Sequence, residues 1–561
     1  MRNIIIIDAF STGYNYVEDV VRRGYNPIIM NTRQEKESEV VGYREIYKTL
    51  YHRPLIIDEQ ESYEETVKLA KSYDPVIIVP GSETAVVLAT RLAYDLGLPG
   101  NDVKYLDAMT KKDAMHNALK DAGIRYIHGE MVSSVEEALS FCRDNGFETA
   151  VVKPTQSAGS QGIFLCDNMD EVSHAVSALL TMKDIYGRPI EKVLVQERIF
   201  GTEYIVNTMS CKGVHRLNSV FRYKKEKTPE GGYIYDYCES IDSLEPGHNR
   251  LVEYALKVAD AIHYRYGSIH GEYMVDQKGP VLIEVNCRPM GATMPGEFLD
   301  MITGQHETDS SLDCYLDPEK FRIDAAKPYR HFRKSYVKIV IVPKDMEVDD
   351  HPIWEVAKRL RSTYKIAAGD PDGVRYYPKT RDLESNGGVI YMVHDDKEVV
   401  ESDIKILRQV EREYFELLLN DGTSRRWVKD TGVKPVSPED IIKEYGCCGA
   451  ILVAADEYRE IEGAQCITPD SVGDAHKGFD YVVIGYGESL LQMRETDCLK
   501  LIFDTMDLAR QGGKVIIPKS TYSYLSYGRE GAESLMYIKG LMVEVPVTGD
   551  DRWVAGTDVG L

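Results

Sequence analysis

Glu272, Glu284 and Asn286 have the types and spacing of a site for a hard cation. Gly271–Asp276 and Pro280–Asn286 read as strands, with Gln277-Lys278-Gly279 as the turn between them. A hairpin centred on Lys278 sets Glu272 directly across from Glu284, and the period-two alternation of a strand puts Asn286 on the same face. Two opposed carboxylates repel unless a cation lies between them. Two carboxylates and an amide oxygen suit Mg²⁺ held jointly with phosphate oxygens, with Mn²⁺ as an alternative. Alone, the pattern fits a solvated hairpin face equally well.

A second group is Lys153-Pro-Thr-Gln-Ser157-Ala-Gly159-Ser160-Gln-Gly162. A strand delivers Lys153, and the small residues Ser157, Gly159, Ser160 and Gly162 let backbone N–H groups approach phosphate oxygens while the lysine supplies a point charge. It is not a P-loop, since G-x-x-x-x-G-K-[ST] is absent, and a plain hairpin tip would look similar. A third group runs from Gln196 through Glu197 and Ile199 to Glu203, a strand, a hinge and a second strand. An adenine fits against such a hinge, bonded by its backbone and Gln196, with Glu203 reaching the ribose. By itself this is a strand-turn-strand.

The elements that must position these groups are α/β in the first part. Ile4–Asp8, Pro27–Met30 and Pro75–Pro80 are short apolar strands separated by helices, so residues 1 to about 105 are expected to form a small doubly wound domain with a parallel sheet. Residues 106–330 change to an α+β texture: a helix over Lys111–Ala122, then strand-like runs at Thr149–Lys153, Val193–Gln196, Tyr204–Ser210, Ile269–Val275 and Pro280–Val285. Residues 331–425 make another α+β unit. The polar stretch Asn420–Lys434 reads as a linker, and residues 436–561 as a smaller Rossmann-like α/β unit with strands at Ala450–Ala455, Tyr481–Gly485 and Lys514–Pro518.

The 561 residues carry 67 Lys and Arg against 90 Asp and Glu, a formal net charge of −23. That field repels phosphate backbones and anionic lipid, so nucleic acid and membrane are not expected as partners. No apolar run approaches the ~18–20 residues of a membrane span, and the opening apolar run ends too soon for a secretion signal, so a cytoplasmic protein is expected. The ten cysteines form no C-x-x-C pair and read as reduced thiols.

Lys112, Lys153, the glycine loop, Gln196 to Glu203, then Glu272, Glu284 and Asn286, in this order, resemble the ATP-grasp superfamily. The likeness narrows to the amino-acid-ligase branch, with its bacterial L-amino acid ligases and carnosine synthase-like enzymes. Asp8-Ala-Phe-Ser-Thr-Gly13, Gly81-Ser-Glu83, Leu98-Pro-Gly-Asn101, Gln196 to Tyr204, Arg222-Tyr-Lys224, His270-Gly-Glu272 and Glu284-Val-Asn-Cys-Arg288 carry it, over roughly residues 1–420. The resemblance implies a preATP-grasp α/β domain, a lid subdomain at about 125–205 and a catalytic α+β domain. It implies that Lys112 and Lys153 contact the phosphates and adenine edge of ATP. Gln196, where many members have Glu, would meet the adenine amino group, with Glu197 and Ile199 in the hinge, and Glu203 would hold the ribose. Glu272, Glu284 and Asn286 would hold one or two Mg²⁺ ions. Arg288 would face the transferring phosphoryl group, and Arg222 would be a further phosphate or substrate contact. His270 reads as a structural histidine, and Glu83 with the loop Gly291–Gly296 borders the substrate pocket.

The activity so implied is ATP-dependent ligation of small-molecule substrates. A carboxylate takes the γ-phosphoryl group to give an acylphosphate, and an amine displaces phosphate to form an amide, with amino acids as the expected substrates; family members are often homodimers, and the sequence leaves the assembly of this chain open. A thiol or bicarbonate acceptor, or a non-catalytic ATP-binding regulator, are the alternatives; the full set Glu272, Glu284, Asn286, Lys153 and Arg288 speaks against the regulator. Residues 436–561 fall outside the resemblance. They faintly resemble the later strands of a Rossmann-type methyltransferase without its glycine-rich loop, and are expected to serve docking or dimerisation.

Overall fold

A computed structural model describes residues 1–33, 43–44, 46–48, 50, 53–154, 162–182, 189–227, 233–242, 246–348, 353–367, 375–381, 383 and 385–421. Beyond these it describes 449–452, 464–467, 472, 478–484, 504–505, 508–518, 542–545 and 552–556. The chain packs as two units, Met1–Val337 with Arg381–Glu384, and Lys338–Thr380 with Ser385–Leu561.

The first unit opens with a parallel sheet of β1 (Asn3–Ile7), β2 (Asn26–Asn31), β3 (Leu55–Asp58) and β4 (Pro75–Pro80) in the order β3-β2-β1-β4. The run of four isoleucines in β1 is buried on both faces. Ile4 and Ile6 pack with Tyr16, Val17 and Val20, and Ile5 and Ile7 with Ala85, Leu88 and Leu92. The strand order reverses at β1, so the loops Asp8–Gly13 and Gly81–Thr84 meet in a crevice at the carboxyl ends of β1 and β4, the usual place for a ligand in such a sheet. Glycine is required there: a Cβ on Gly13 would lie 2.2 Å from the Gly81 carbonyl oxygen.

Next comes a small sheet of β5 (Gly129–Val132), β6 (Ala150–Lys153), β7 (Phe164–Cys166) and β8 (Val193–Glu197), in the antiparallel order β5-β8-β6-β7. Helices Val135–Asp144 and Met169–Leu180, begun by Ser134 and Asn168 side-chain caps, bury Val132, Val152, Val193 and Val195 beneath them. This subdomain occupies the segment expected to form a lid.

The central sheet contains β9 (Thr202–Cys211), β10 (Val214–Lys227), β11 (Tyr233–Ser240), β12 (Tyr266–Asp276), β13 (Gly279–Asn286) and β14 (Lys334–Ile339), in the order β13-β12-β9-β10-β11-β14; the division between the units falls within β14. Helix Pro246–Ala261 covers one face through Leu251, Tyr254 and Val258. Helix Glu307–Leu316 joins this sheet to the N-terminal one: Leu312 and Tyr315 share a core with Ile4, Ile6 and Met209. His306, the residue before that helix, lies 3.0 Å from Asp19 and 2.8 Å from Asp300. Burial works against its charge, but the two aspartates push its pKa up to about 10.

The second unit pairs β15 (Met346–Val348) with β17 (Arg375–Tyr377), and β16 (Thr363–Ala367) with β18 (Val389–His394). Helix Lys397–Asp421 follows, tied to the buried Lys338 through Glu411 at 2.7 Å. The rest of the expected linker lies outside the described residues. β19 (Gly449–Leu452), β20 (Ala464–Ile467), β21 (Phe479–Ile484), β22 (Ala509–Pro518), β23 (Met542–Val545) and β24 (Arg552–Gly556) form a sheet in the order β20-β19-β21-β22-β24-β23. The three expected strands are its parallel centre; β20 and the two antiparallel strands β24 and β23 extend it. Among the described residues no helix is long and apolar enough to cross a membrane.

Candidate active site

The site is a set of rows across the central sheet. Asn286 pairs with His270, and His270 with Asn207; in the next row Glu284 pairs with Glu272, and Glu272 with Ile205; Glu203 follows opposite Met274. Directly opposed residues of an antiparallel sheet project to one side, so Asn286, Glu284, Glu272, His270 and Glu203 share a face. His270 Nδ1 bonds Asn207 Oδ1 at 2.9 Å, and its Nε2 lies 3.4 Å from Glu272 Oε1. Burial lowers the His270 pKa against the pull of Glu272, so the ring is neutral.

Three lysines meet these carboxylates. Lys112 lies on the buried face of helix Lys112–Asp121, with Met115, His116 and Leu119, and its Nζ is 2.7 Å from Glu284 Oε2. Burial opposes the charge of both partners, yet the pairing raises Lys112 and, with Lys153, holds Glu284 well below the usual carboxylate range. Lys153 ends β6. Burial and the neighbouring Lys112 lower its pKa to about 8, with Glu284 and Glu272 pulling the other way. Lys225, on β10, places Nζ 2.7 Å from Glu203 Oε2. His116 stays neutral: burial and Lys153 push it down to about 3.

Gln196 is on β8 opposite Val151 and Gly129, on the sheet face that also carries Lys153. A Cβ on Gly129 would reach within 2.6 Å of Gln196 Cγ, so the glycine makes the slot in which the amide lies. Its Nε2 is buried without a partner. Glu197 projects to the other side of β8, and its backbone N–H bonds His128 O at 2.8 Å. Gly162 has φ of 72°, a conformation that favours glycine. Ser157, Gly159 and Ser160 lie outside the described residues.

Arg288 follows β13, with Nε 3.3 Å from Glu83 Oε2. Burial raises Glu83 and Arg288 draws it back. The loop after Arg288 is strained and clamped: Ala292 and Thr293 have φ of 63° and 49°. Thr293 N bonds Ser11 Oγ at 2.9 Å, Met294 N bonds Thr12 Oγ1 at 2.8 Å, and Asn15 Nδ2 bonds Met294 O at 2.9 Å. The first β-α loop and the start of the helix after it thus clamp residues 293–294. Glu307 Oε2 accepts from Met290 N, while burial lifts the carboxyl to about 7.

The structure does not bring Arg222 into this group. It pairs with Tyr204, on the side of the sheet opposite Glu203, and donates from Nε to Glu239 Oε1 at 2.6 Å. Lys334 holds the other oxygen of Glu239 at 3.0 Å.

Comparison with known proteins follows this geometry. The family model of the phosphoribosylglycinamide synthetase ATP-grasp (A) domain matches residues 110–292, the segment from Lys112 through Arg288. Residues 110–292 thus carry an ATP-grasp domain. Dapdiamide A synthase of Enterobacter agglomerans is 27% identical over 426 residues, which cover 74% of this chain and 98% of that one. An L-amino acid ligase from Bacillus licheniformis superposes with a TM-score of 0.57 at 17% identity, covering 73% of this chain and 97% of that one. A carboxyaminoimidazole ribonucleotide synthase from Aspergillus clavatus, complexed with ATP, gives 0.54 at 14% identity, covering 73% and 98%. These relatives support an ATP-grasp enzyme of the kind that forms carbon–nitrogen bonds between a carboxylate and an amine.

Sequence reasoning missed Lys225, His116, Asn207 and Glu307 in the ATP-grasp site. Strand parity could have found Lys225: it shares the side of Tyr223, while Arg222 and Lys224, which drew attention, are exposed. Helical spacing could have found His116, one turn after Lys112. Asn207 and Glu307 carry no local signal.

Proposed function

We propose that the enzyme transfers the γ-phosphoryl group of ATP to a substrate carboxylate and joins the activated acid to an amine, with an amino acid on at least one side. The observation that carries this reading is the facing pair Glu272 and Glu284, in one row with Lys112 beside it, with Asn286 next along β13 and Arg288 just beyond its end. Glu272, Glu284 and Asn286 are hard oxygen donors on one face and fit Mg²⁺, which when bound would neutralise phosphate charge.

Phosphoryl transfer asks little covalent help of a protein; it needs in-line positioning and charge in place before reaction. Lys112, Lys153 and Arg288 face Glu83, Glu272 and Glu284, so these cations are held by carboxylates until a polyphosphate arrives. In our reading Lys153 and Lys112 bind the phosphates, and Gln196 with the backbone of Glu197–Ile199 binds the base. Glu203 binds the ribose, Ser157–Gly162 closes over the phosphates, and Arg288 steadies charge on the transferring group. The acid sits between Arg288, Glu83 and the clamped loop 291–296, where its carboxylate attacks phosphorus and ADP leaves. The amine then attacks the acyl carbon, phosphate departs, and closure excludes the water that would hydrolyse the acylphosphate. We assign Arg222 to the structural pair with Glu239. The setting we assign is the cytoplasm, where ATP and free amino acids occur together.

The dapdiamide synthase relationship supports a carboxylate–amine substrate pair. The test is ADP release across a panel of amino acids, singly and in pairs, with Glu284→Gln as control. Release that needs two substrates and is lost in the variant is the expected result. Release with a carboxylate and a thiol, or with bicarbonate, would replace the amine in this account.

A further inference from the structure

We propose that Lys225 is a positioning residue for the nucleotide: it fixes the Glu203 carboxylate in the orientation that reads the ribose hydroxyls. The inference rests on the nucleotide reading above and adds to it a residue that acts through Glu203. Lys225 enters from β10 and Glu203 from β9, neighbouring strands of the central sheet, and Nζ lies 2.7 Å from Oε2. Both side chains are largely enclosed, 23% and 11% exposed. The ammonium is further fixed by aromatic faces, 4.3 Å from the Tyr235 ring centroid and 5.7 Å from that of Tyr223.

Glu203 is a buried carboxylate that needs such a partner. It stands on the face that also holds Glu272 and Glu284, and the charges of both oppose its own. Glu284 has Lys112 for a partner. Lys225 serves Glu203 in the same way, and a cation on a rigid strand, wedged between rings, also sets which way the carboxylate points. An oriented carboxylate discriminates a ribose from its deoxy analogue because a charged acceptor loses a hydrogen bond when the hydroxyl is absent.

The test uses the full chain with Lys225→Met and Lys225→Arg, first confirming by thermal unfolding that each is folded. Binding of AMP-PNP is measured by calorimetry, and turnover with ATP and with 2′,3′-dideoxy-ATP. The wild type should prefer the ribonucleotide by about tenfold or more. Lys225→Met should raise KM for ATP about tenfold, with kcat much less affected, and should erase most of the preference between the two nucleotides; Lys225→Arg should recover it. Combined with Glu203→Gln, Lys225→Met should add almost nothing, since both act through one carboxylate. A full preference for the ribonucleotide in Lys225→Met, a loss carried by kcat, or independent losses in the double variant would overturn the proposal. Failure of the wild type itself to bind AMP-PNP would instead overturn the nucleotide reading.

Discussion

Raising the pH from 7 to 9 should weaken nucleotide binding through a single side chain. Lys153 is buried and close to Lys112, and these two influences bring its pKa down to about 8 despite Glu284 and Glu272. A polyphosphate gains from the charged form. About nine molecules in ten carry that charge at pH 7 and about one in ten at pH 9, so affinity for AMP-PNP should fall about tenfold, or ~1.4 kcal/mol. Bound phosphate lifts the Lys153 pKa above its free value, so binding takes up protons, about half of one per nucleotide at pH 8. Calorimetric titrations in two buffers of different ionisation enthalpy count these protons directly. Lys153→Arg stays charged throughout and should retain only the pH dependence of the nucleotide itself. Identical pH profiles and proton uptake in the wild type and Lys153→Arg would refute the reasoning.

Gln196 has a buried Nε2 without a partner, and an amide can offer a carbonyl or an amino group to position 6 of a purine. A carboxylate in its place would only accept; Gln196→Glu should therefore raise the preference for ATP over ITP about tenfold in kcat/KM, and an unchanged ratio would remove Gln196 from base recognition. The His306 pKa rises from its ordinary value near 6.5 to about 10 in the folded protein, so the stability it contributes is whole below pH 6.5 and is lost as pH climbs towards 10, by ~1.4 kcal/mol per unit. Urea unfolding of wild type and His306→Gln should converge over that window. Gly13→Ala would force a Cβ to within 2.2 Å of the Gly81 carbonyl oxygen and should cost about 1–3 kcal/mol in the same assay; an unaltered midpoint would show that the two loops separate freely.

The pairing of Glu272 with Glu284 was legible from residue types and strand period, but the geometry behind it differs from a symmetric hairpin. The strands run up to Asp276 opposite Gly279, so the turn is the two-residue Gln277-Lys278, which would set Glu272 against Ile283. A bulge between Glu272 and Tyr273 leaves Ile283 as the extra residue and restores the carboxylates to one row. Bulges of this kind carry no signature in composition. The four buried isoleucines of β1 and the order of Lys112, Lys153 and Glu284 along the chain were readable because burial and spacing are local properties. Arg222 and Lys225 show the limit: adjacent basic residues on one strand separate by parity alone, and which face holds the site depends on the partner strands. The clamp of Thr293 by Ser11 spans 282 positions and could not be read from either segment.

The central claim is tested most directly by following oxygen from acid to phosphate. The acid that supports ADP release is labelled with ¹⁸O in both carboxylate positions, and the phosphate released in the presence of its amine partner is analysed by mass. One ¹⁸O in phosphate and one in the amide is the predicted result, since the carboxylate oxygen that attacks phosphorus leaves with it. Unlabelled phosphate accompanying amide formation would contradict an acylphosphate route.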